Sequence, residues 1–304
     1  MQQSAAAPAA SNRDRLVGYL SVAGVLSLFT SFILVSRLGM EQSLTVMDLA
    51  ALRFGIGGLI LAPVVLRHGL SGLAWWRAAI LASVGGLIFA QLAYAGFLLA
   101  PASHGTAFLH GSLPLFTYLV LLALPGVRPD RRALPGVLAI ALGVLLLAWD
   151  SLVEVSAEQL LGDGLLCLAG VLWSVYGVLA GRWGLPAIRS AAIVATLSMC
   201  AYLPIYALLP GPGLLAADWR QVLLQGLFQG VLIGVVSILL YTRAVTSLGA
   251  AQVALCIAAV PGLVTLLAIP VLGEWPSLTA VAGVAAVTLG MLLALRRPGS
   301  GRTG

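Results

Sequence analysis

Residues 18–25 read GYLSVAGV and residues 164–171 read GLLCLAGV, and the likeness continues in register beyond them. Tyr94 falls on Tyr241, Pro114 on Pro261, and Leu142-Gly143 on Leu289-Gly290, while the offset moves only from 146 to 147 positions. Glycine and proline give this match its weight: both are chosen for backbone geometry, whereas leucines coincide by chance in any apolar chain. The constant register predicts an internal duplication. Each copy holds five apolar spans, and an odd number of membrane crossings turns the second copy upside down relative to the first.

Composition supplies those spans. Of the 304 residues, 61% are hydrophobic and 9% charged, against about 25% charged in soluble domains; the mean hydropathy is +1.06. Apolar runs long enough to cross a bilayer recur along the chain. Backbone groups in lipid must be satisfied within their own segment, which favours helices, and these Leu/Ala/Gly-rich runs lack the alternation of a membrane barrel. Spans are predicted at 16–36, 47–66, 76–99, 102–124, 134–149, 161–181, 191–209, 222–241, 250–272 and 278–295. The expected fold is therefore an all-α polytopic membrane protein, ten transmembrane helices arranged as two inverted five-helix repeats. Its parts are a disordered cytoplasmic tail (1–15), a first repeat (16–149), an outer linker (150–160), a second repeat (161–295) and a cytoplasmic tail (296–304). The polar, Pro/Ala-rich first fifteen residues read as a tail rather than a signal peptide, because a full-length span follows without a convincing cleavage site.

Charge orients the spans. All sixteen basic residues are arginines, and with the N-terminus inside they fall on the cytoplasmic side, except Arg37 and Arg220 in outer loops and Arg53 within the second span. The acids Glu41, Asp48, Asp150, Glu154, Glu158, Asp163, Asp218 and Glu274 fall outside. This positive-inside asymmetry puts both termini in the cytoplasm and accounts for the basic balance without nucleic acid, for which a basic stripe interleaved with aromatics is missing. Cys167, Cys200 and Cys256 all lie in apolar spans, which argues against a disulfide framework and against a metal site.

Inverted repeats put a substrate site near the midplane, where the copies meet at broken helices. Pro114 and Pro261 sit near the centres of the fourth and ninth spans, and each removes the donor that the carbonyl of His110 or Ile257 would otherwise meet. They are the predicted hinges; packing alone is the competing explanation. His110, one turn before Pro114, is an intramembrane ionisable group and so a candidate substrate ligand. Gln91, Tyr94, Trp173, Tyr176 and Gln229 complete the candidate cavity, since buried Tyr and Trp seek partners for their polar tips; helix packing is the alternative for each. His104 is expected to face the outer interface. Arg53 is expected to snorkel outward or to pair with Asp48 or Glu274, with a substrate carboxylate as the alternative. No Asp or Glu falls in the central part of a span, which speaks against a carboxylate proton relay. No catalytic residue, metal ligand or cofactor is assigned: there is no HExxH, no phosphate loop and no nucleophile–base pair.

Ten spans in two halves, with mid-span prolines in the fourth and ninth, resemble the drug/metabolite transporter superfamily and its EamA-type exporters. Leu52-Arg53-Phe54, the regions of Pro114 and Pro261, and Leu272-Gly273-Glu274 with Pro276-Ser277 before the tenth span carry the likeness. The first copy departs from that last signature, reading Leu124-Pro125-Gly126. The resemblance implies a secondary transporter, not an enzyme, that exports small metabolites by alternating access through a cavity formed mainly by the third, fourth, sixth, eighth and ninth helices. Tyr, Trp, Gln and one His suit a neutral or zwitterionic substrate, which points to the aromatic amino-acid exporter branch. Other drugs or neutral metabolites are the alternative; a channel or an intramembrane lipid-modifying enzyme belongs to other classes. Partners are then a small-molecule substrate and the lipid bilayer, with no nucleic acid, and the chain acts as a monomer or homodimer in a bacterial plasma (inner) membrane.

Overall fold

The computed structural model describes residues 12–42, 44–125, 131–153, 157–208 and 213–295. Among them regular structure is entirely helical. Ten principal helices follow in order: α1 Asn12–Gln42, α2 Val46–His68, α3 Trp75–Leu99, α4 Ala102–Ala123, α5 Leu134–Val153, α6 Ala157–Arg182, α7 Ala187–Leu208, α8 Trp219–Leu248, α9 Gln252–Leu272 and α10 Leu278–Leu295. Nine of these described helices are long and apolar enough to cross a membrane, not the ten expected. The tenth, α10, has 18 residues, about 27 Å at 1.5 Å per residue, slightly short of a hydrocarbon core of about 30 Å.

The ends differ from the sequence reading. Helix α1 already includes residues 12–15 of the expected tail, with Asp14 in its first turn, while residues 1–11 and 296–304 lie outside the described set. The expected linker at 150–160 is mostly helical: α5 runs to Val153 and α6 starts at Ala157. Residues 154–156, including Glu154, lie outside the described set. Helix α2 starts on a reciprocal cap, in which the Thr45 amide donates to Asp48 Oδ2 (2.8 Å) and the Asp48 amide to Thr45 Oγ1 (3.2 Å).

Successive helices run back and forth between two ends, here the near end, which holds the start of α1, and the far end opposite it. The main packing pairs are α5–α10, α2–α7, α3–α6, α1–α8, α2–α8, α4–α6, α1–α9 and α3–α7. Helices α5 and α10 touch through backbone. A Cβ on Gly136 would lie 2.6 Å from the Gly290 carbonyl oxygen, and one on Gly143 would lie 2.6 Å from that of Gly283, so the pair is antiparallel. Small residues of this kind let apolar helices approach in lipid, where packing has to replace the hydrophobic drive.

Four of the ten helices are interrupted. Helix α3 widens to π-helical turns at Ser83–Leu87, and α8 does so at Gly226–Val236. Helix α4 is π-helical at Ala107–Gly111 and breaks at Ser112, restarting with Pro114 in its first turn. Helix α9 breaks at Ala258 and Ala259 and restarts with Pro261 in its first turn. Both predicted proline positions thus coincide with breaks in their helices, each proline taking the first turn of the restarted segment, whereas Pro63, Pro204 and Pro270 lie inside unbroken helix.

Candidate functional site

Phe32 of α1 is the hub of a central polar and aromatic group. It packs edge-on to Phe97 (5.4 Å between ring centres) and lies 6.1 Å from Tyr94 and 6.5 Å from His110. His110 also stacks on Phe29 at 5.7 Å. The Arg53 guanidinium lies over the Phe32 ring at 5.4 Å and beside Tyr94, a cation–π arrangement favoured where water is scarce.

Of the predicted ligands, Tyr94 and Gln229 meet directly. The Tyr94 hydroxyl donates to Gln229 Oε1 (3.1 Å), and the Gln229 amide donates to Ser36 Oγ (2.9 Å) and Gln225 Oε1 (3.2 Å). Gln225 in turn donates to the Val35 carbonyl (2.7 Å). This chain ties α1, α3 and α8 together and uses the polar atoms of both residues on neighbours. Gln91 lies one turn before Tyr94 on α3, beside the Tyr202 hydroxyl. Trp173 and Tyr176 form a second group on α6: Trp173 packs on Phe89 (4.6 Å) and Tyr176 (5.0 Å), and the Tyr176 hydroxyl accepts from Ser190 (3.0 Å). Gly85 lies against the Tyr176 ring, where a Cβ would come within 2.6 Å.

Three side chains around Phe32 and Tyr94 keep a buried polar atom without a partner: Arg53 Nη1, Gln91 Nε2 and His110 Nδ1. Buried polar atoms are nearly always paired, so such a group offers complementary contacts to a ligand. The expected ion pairs of Arg53 do not form. Asp48 is engaged by Thr45 and Tyr206, and Glu274 by Arg37.

A second polar assembly occupies the far end. Gly273 closes α9 in the left-handed conformation (φ +70°), which turns Glu274 back into the bundle. Glu274 pairs with Arg37 of α1 and accepts from the Ala102 amide at the start of α4 (2.7 Å), while Arg37 donates to the Ala100 carbonyl (2.9 Å). The tight α3–α4 connection is thus clamped to α1 and to the loop before α10. Deeper in, His104 places Nδ1 3.0 Å from Asp163 Oδ1 and Nε2 3.5 Å from Asp150 Oδ2. The second distance is an ion-pair contact without a hydrogen bond, and Nε2 has no hydrogen-bond partner. Ser151 donates to Asp163, Gln159 to Ser151 (3.0 Å) and Ser277 to Asp150.

Sequence reading missed this assembly. His104 is 1% exposed, not at the lipid interface, and Asp163, placed on the outer side by the sequence, is buried within α6. A cavity of about 160 Å³ adjoins it, lined among others by His104, Asp150, Gln159, Thr265, Glu274 and Trp275. None of the six predicted substrate ligands lines that cavity.

Residues 160–296 match the profile of the EamA-like transporter family, so the second half of the chain carries an EamA-like transporter domain. One solved crystal structure has a similar fold, with a TM-score of 0.55 at 23% identity, covering 92% of this chain and 97% of that one. No curated protein matches the sequence.

Proposed function

We propose that this chain is a secondary transporter that exports small metabolites, with aromatic and other neutral amino acids as its substrates, across a bacterial plasma membrane by alternating access. The domain at residues 160–296 supports a transporter rather than an enzyme, and the 147-residue repeat extends that reading to the first half. Helix pairing supports the inverted repeat. Exchanging each helix for the one five places away maps α3–α6 onto α8–α1, α4–α6 onto α9–α1 and α2–α8 onto α7–α3, while α5–α10 and α2–α7 keep their partners. The π-helical turns of α3 and α8 and the breaks of α4 and α9 obey the same exchange. Both termini then lie in the cytoplasm and the far end faces outward, in line with the arginine distribution.

The observation that carries the substrate reading is the convergence of Arg53 and His110, each with an unpaired polar atom, on the Phe29–Phe32–Tyr94 surface, with Gln91 one turn before Tyr94 on α3. Arg53 offers a fork of donors to a carboxylate. Gln91 and His110 offer neutral polar contacts, and the rings receive an apolar or aromatic side chain. Pro114 and Pro261 serve as hinges about which the halves rock, and Trp173 with Tyr176 forms the wall next to α3. The test is counterflow in proteoliposomes with a panel of labelled amino acids. Accumulation of phenylalanine or another neutral member against unlabelled substrate inside is expected, and no counterflow for any member would sink the reading.

A further inference from the structure

The His104 assembly plays no part in substrate recognition as proposed above, yet it concentrates more ionisable side chains than any other buried part of the described structure. His104 is 1% exposed, Asp163 3% and Asp150 7%. Uncompensated carboxylates are costly in such surroundings, and His104 is the ion-pairing partner that the described structure gives to either one. A neutral imidazole carries one N–H, so its other nitrogen would turn a lone pair toward a carboxylate oxygen; a protonated ring donates on both sides. With the proton bound, the three residues carry a net charge of −1; without it, two carboxylates face one neutral ring.

We propose that His104, Asp150 and Asp163 form a proton-binding site that couples transport to proton movement; the coupling rests on the transporter reading, whereas the binding does not. Three observations carry it. The first is the orphaned, buried Nε2 of His104, a residue lining the cavity, which faces Asp150 across 3.5 Å. The second is access: Trp275, 81% exposed, and Glu274 line the same cavity as His104, so the cavity leads from the far-end surface toward the buried ring. The third is placement. His104 rides on α4 ahead of the break at Ser112, whereas Asp150 and Asp163 belong to α5 and α6. Movement at the break therefore changes the distance between the proton acceptor and its carboxylates.

Among the described residues, the groups facing His104 are few. They are Asp150 and Ser151 from α5, Gln159 and Asp163 from α6 with Cys167 one turn on, Ser277 at the start of α10, and Glu274, already held by Arg37. The binding step is a simple proton transfer: a hydronium ion in the cavity gives its proton to the ring, and the water returns to the cavity. Bound, the proton holds α4 to α5 and α6 and keeps the far end closed. Its loss leaves two carboxylates repelling across a neutral ring, which favours separation.

Two measurements test this. The chain has three histidines, His68, His104 and His110, so ¹⁵N-imidazole NMR of the purified full chain resolves each ring, with His104→Gln identifying the signal. A His104 signal that changes with pH, and changes differently from wild type in Asp163→Asn and in Asp150→Asn, is expected. A ring that stays in one state throughout, or that responds to pH in both variants just as it does in the wild-type chain, overturns the proton site. The second measurement loads proteoliposomes with pyranine and labelled phenylalanine. Outward substrate flux is expected to acidify the lumen, and His104→Gln and Asp163→Asn are expected to lower ΔpH-driven transport about tenfold more than exchange at equal pH. Equal losses in both modes overturn the coupling. Absence of exchange in the wild-type chain overturns the substrate reading instead, and leaves the NMR result to decide the proton site.

Discussion

Gly143 of α5 lies against the backbone of Gly283 in α10, and Gly136 meets Gly290 in the same way. Each helix carries its two glycines seven residues apart, and the antiparallel contact pairs the first of one with the second of the other. A side chain at Gly143 or Gly283 would have to push two backbones apart. Gly143→Leu and Gly283→Leu are therefore expected to destabilise the protein by about 1–3 kcal/mol or more. Gly143 faces backbone at 2.6 and 2.8 Å whereas Gly283 faces the Leu147 side chain first, with backbone at 3.1 Å, so the loss should be larger at Gly143. At Gly164 a Cβ would meet nothing within 4 Å, so that position should accept alanine without loss. Thermal unfolding in detergent, followed by size-exclusion recovery, distinguishes these cases; stable leucine variants would show that α5 and α10 do not close on their glycines.

The far-end clamp gives a second prediction. Arg37 and Glu274 are 16% and 23% exposed in their side chains, and each also bonds to backbone at the α3–α4 connection. Arg37→Ala leaves Glu274 without its cation and the Ala100 carbonyl without its donor. A loss of about 1–3 kcal/mol is expected, between the ranges for exposed and buried pairs. Glu274→Gln should lose less than Glu274→Ala, since an amide oxygen still accepts from Ala102. The pair Arg243–Asp14 is about half exposed on both sides, so Arg243→Ala should cost little. Equal melting shifts for Arg37→Ala and Arg243→Ala would remove the clamp from consideration.

How much of this is legible in the sequence differs by residue. Helix positions and the two broken helices follow from apolar length and proline chemistry, which act locally and so appear in a single chain. The face a residue presents does not follow. His104 stands near a helix end, where an interfacial position is the ordinary expectation, and only the packing of α4 on α6 turns it onto Asp163. Asp163 reads only as an outer-side acid at the start of the sixth span, and nothing local shows that it turns inward onto His104. Asp48 and Glu274 are the natural partners of Arg53 by sequence, but each of those carboxylates has nearer partners contributed by distant parts of the chain. Competition of this kind is decided in three dimensions. The one sequence signal pointing toward the far-end assembly is the Gly273-Glu274 signature, which the first copy lacks.

Arg53 is the next test, and it depends on the substrate reading. With Nη1 unpaired and Phe32 beneath it, the guanidinium keeps a donor for a carboxylate beside its contact with Tyr94. Arg53→Met keeps much of the volume and removes the charge. The apparent affinity for phenylalanine is expected to fall by about tenfold or more, the scale of a charge-assisted hydrogen bond, whereas Arg53→Lys should retain part of it. The wild-type chain should discriminate against phenylalaninamide, and the methionine variant should not. If both variants keep wild-type affinity and selectivity in counterflow, Arg53 is a packing residue.

The prolines offer a test of symmetry as well as of mechanism. Pro114 follows the break at Ser112, and Pro261 follows that at Ala258 and Ala259, so each alanine variant restores an amide that can bond to the carbonyl four residues earlier. On the α4 side, straightening the helix would move His104 relative to Asp163, 3.0 Å away across the α4–α6 contact; on the α9 side, it would shift the segment leading to Gly273 and Glu274. Both changes disturb the far end, by different routes. Pro114→Ala and Pro261→Ala are therefore expected to slow counterflow by similar factors, about tenfold, while expression and monodispersity persist. A deficit in one variant only would keep that proline as a hinge and break the equivalence of the two halves. No deficit in either would mean that the interruptions are set by neighbouring contacts, such as the bond from the Ser112 hydroxyl to the Phe108 carbonyl, and that the prolines merely fit the space those contacts leave.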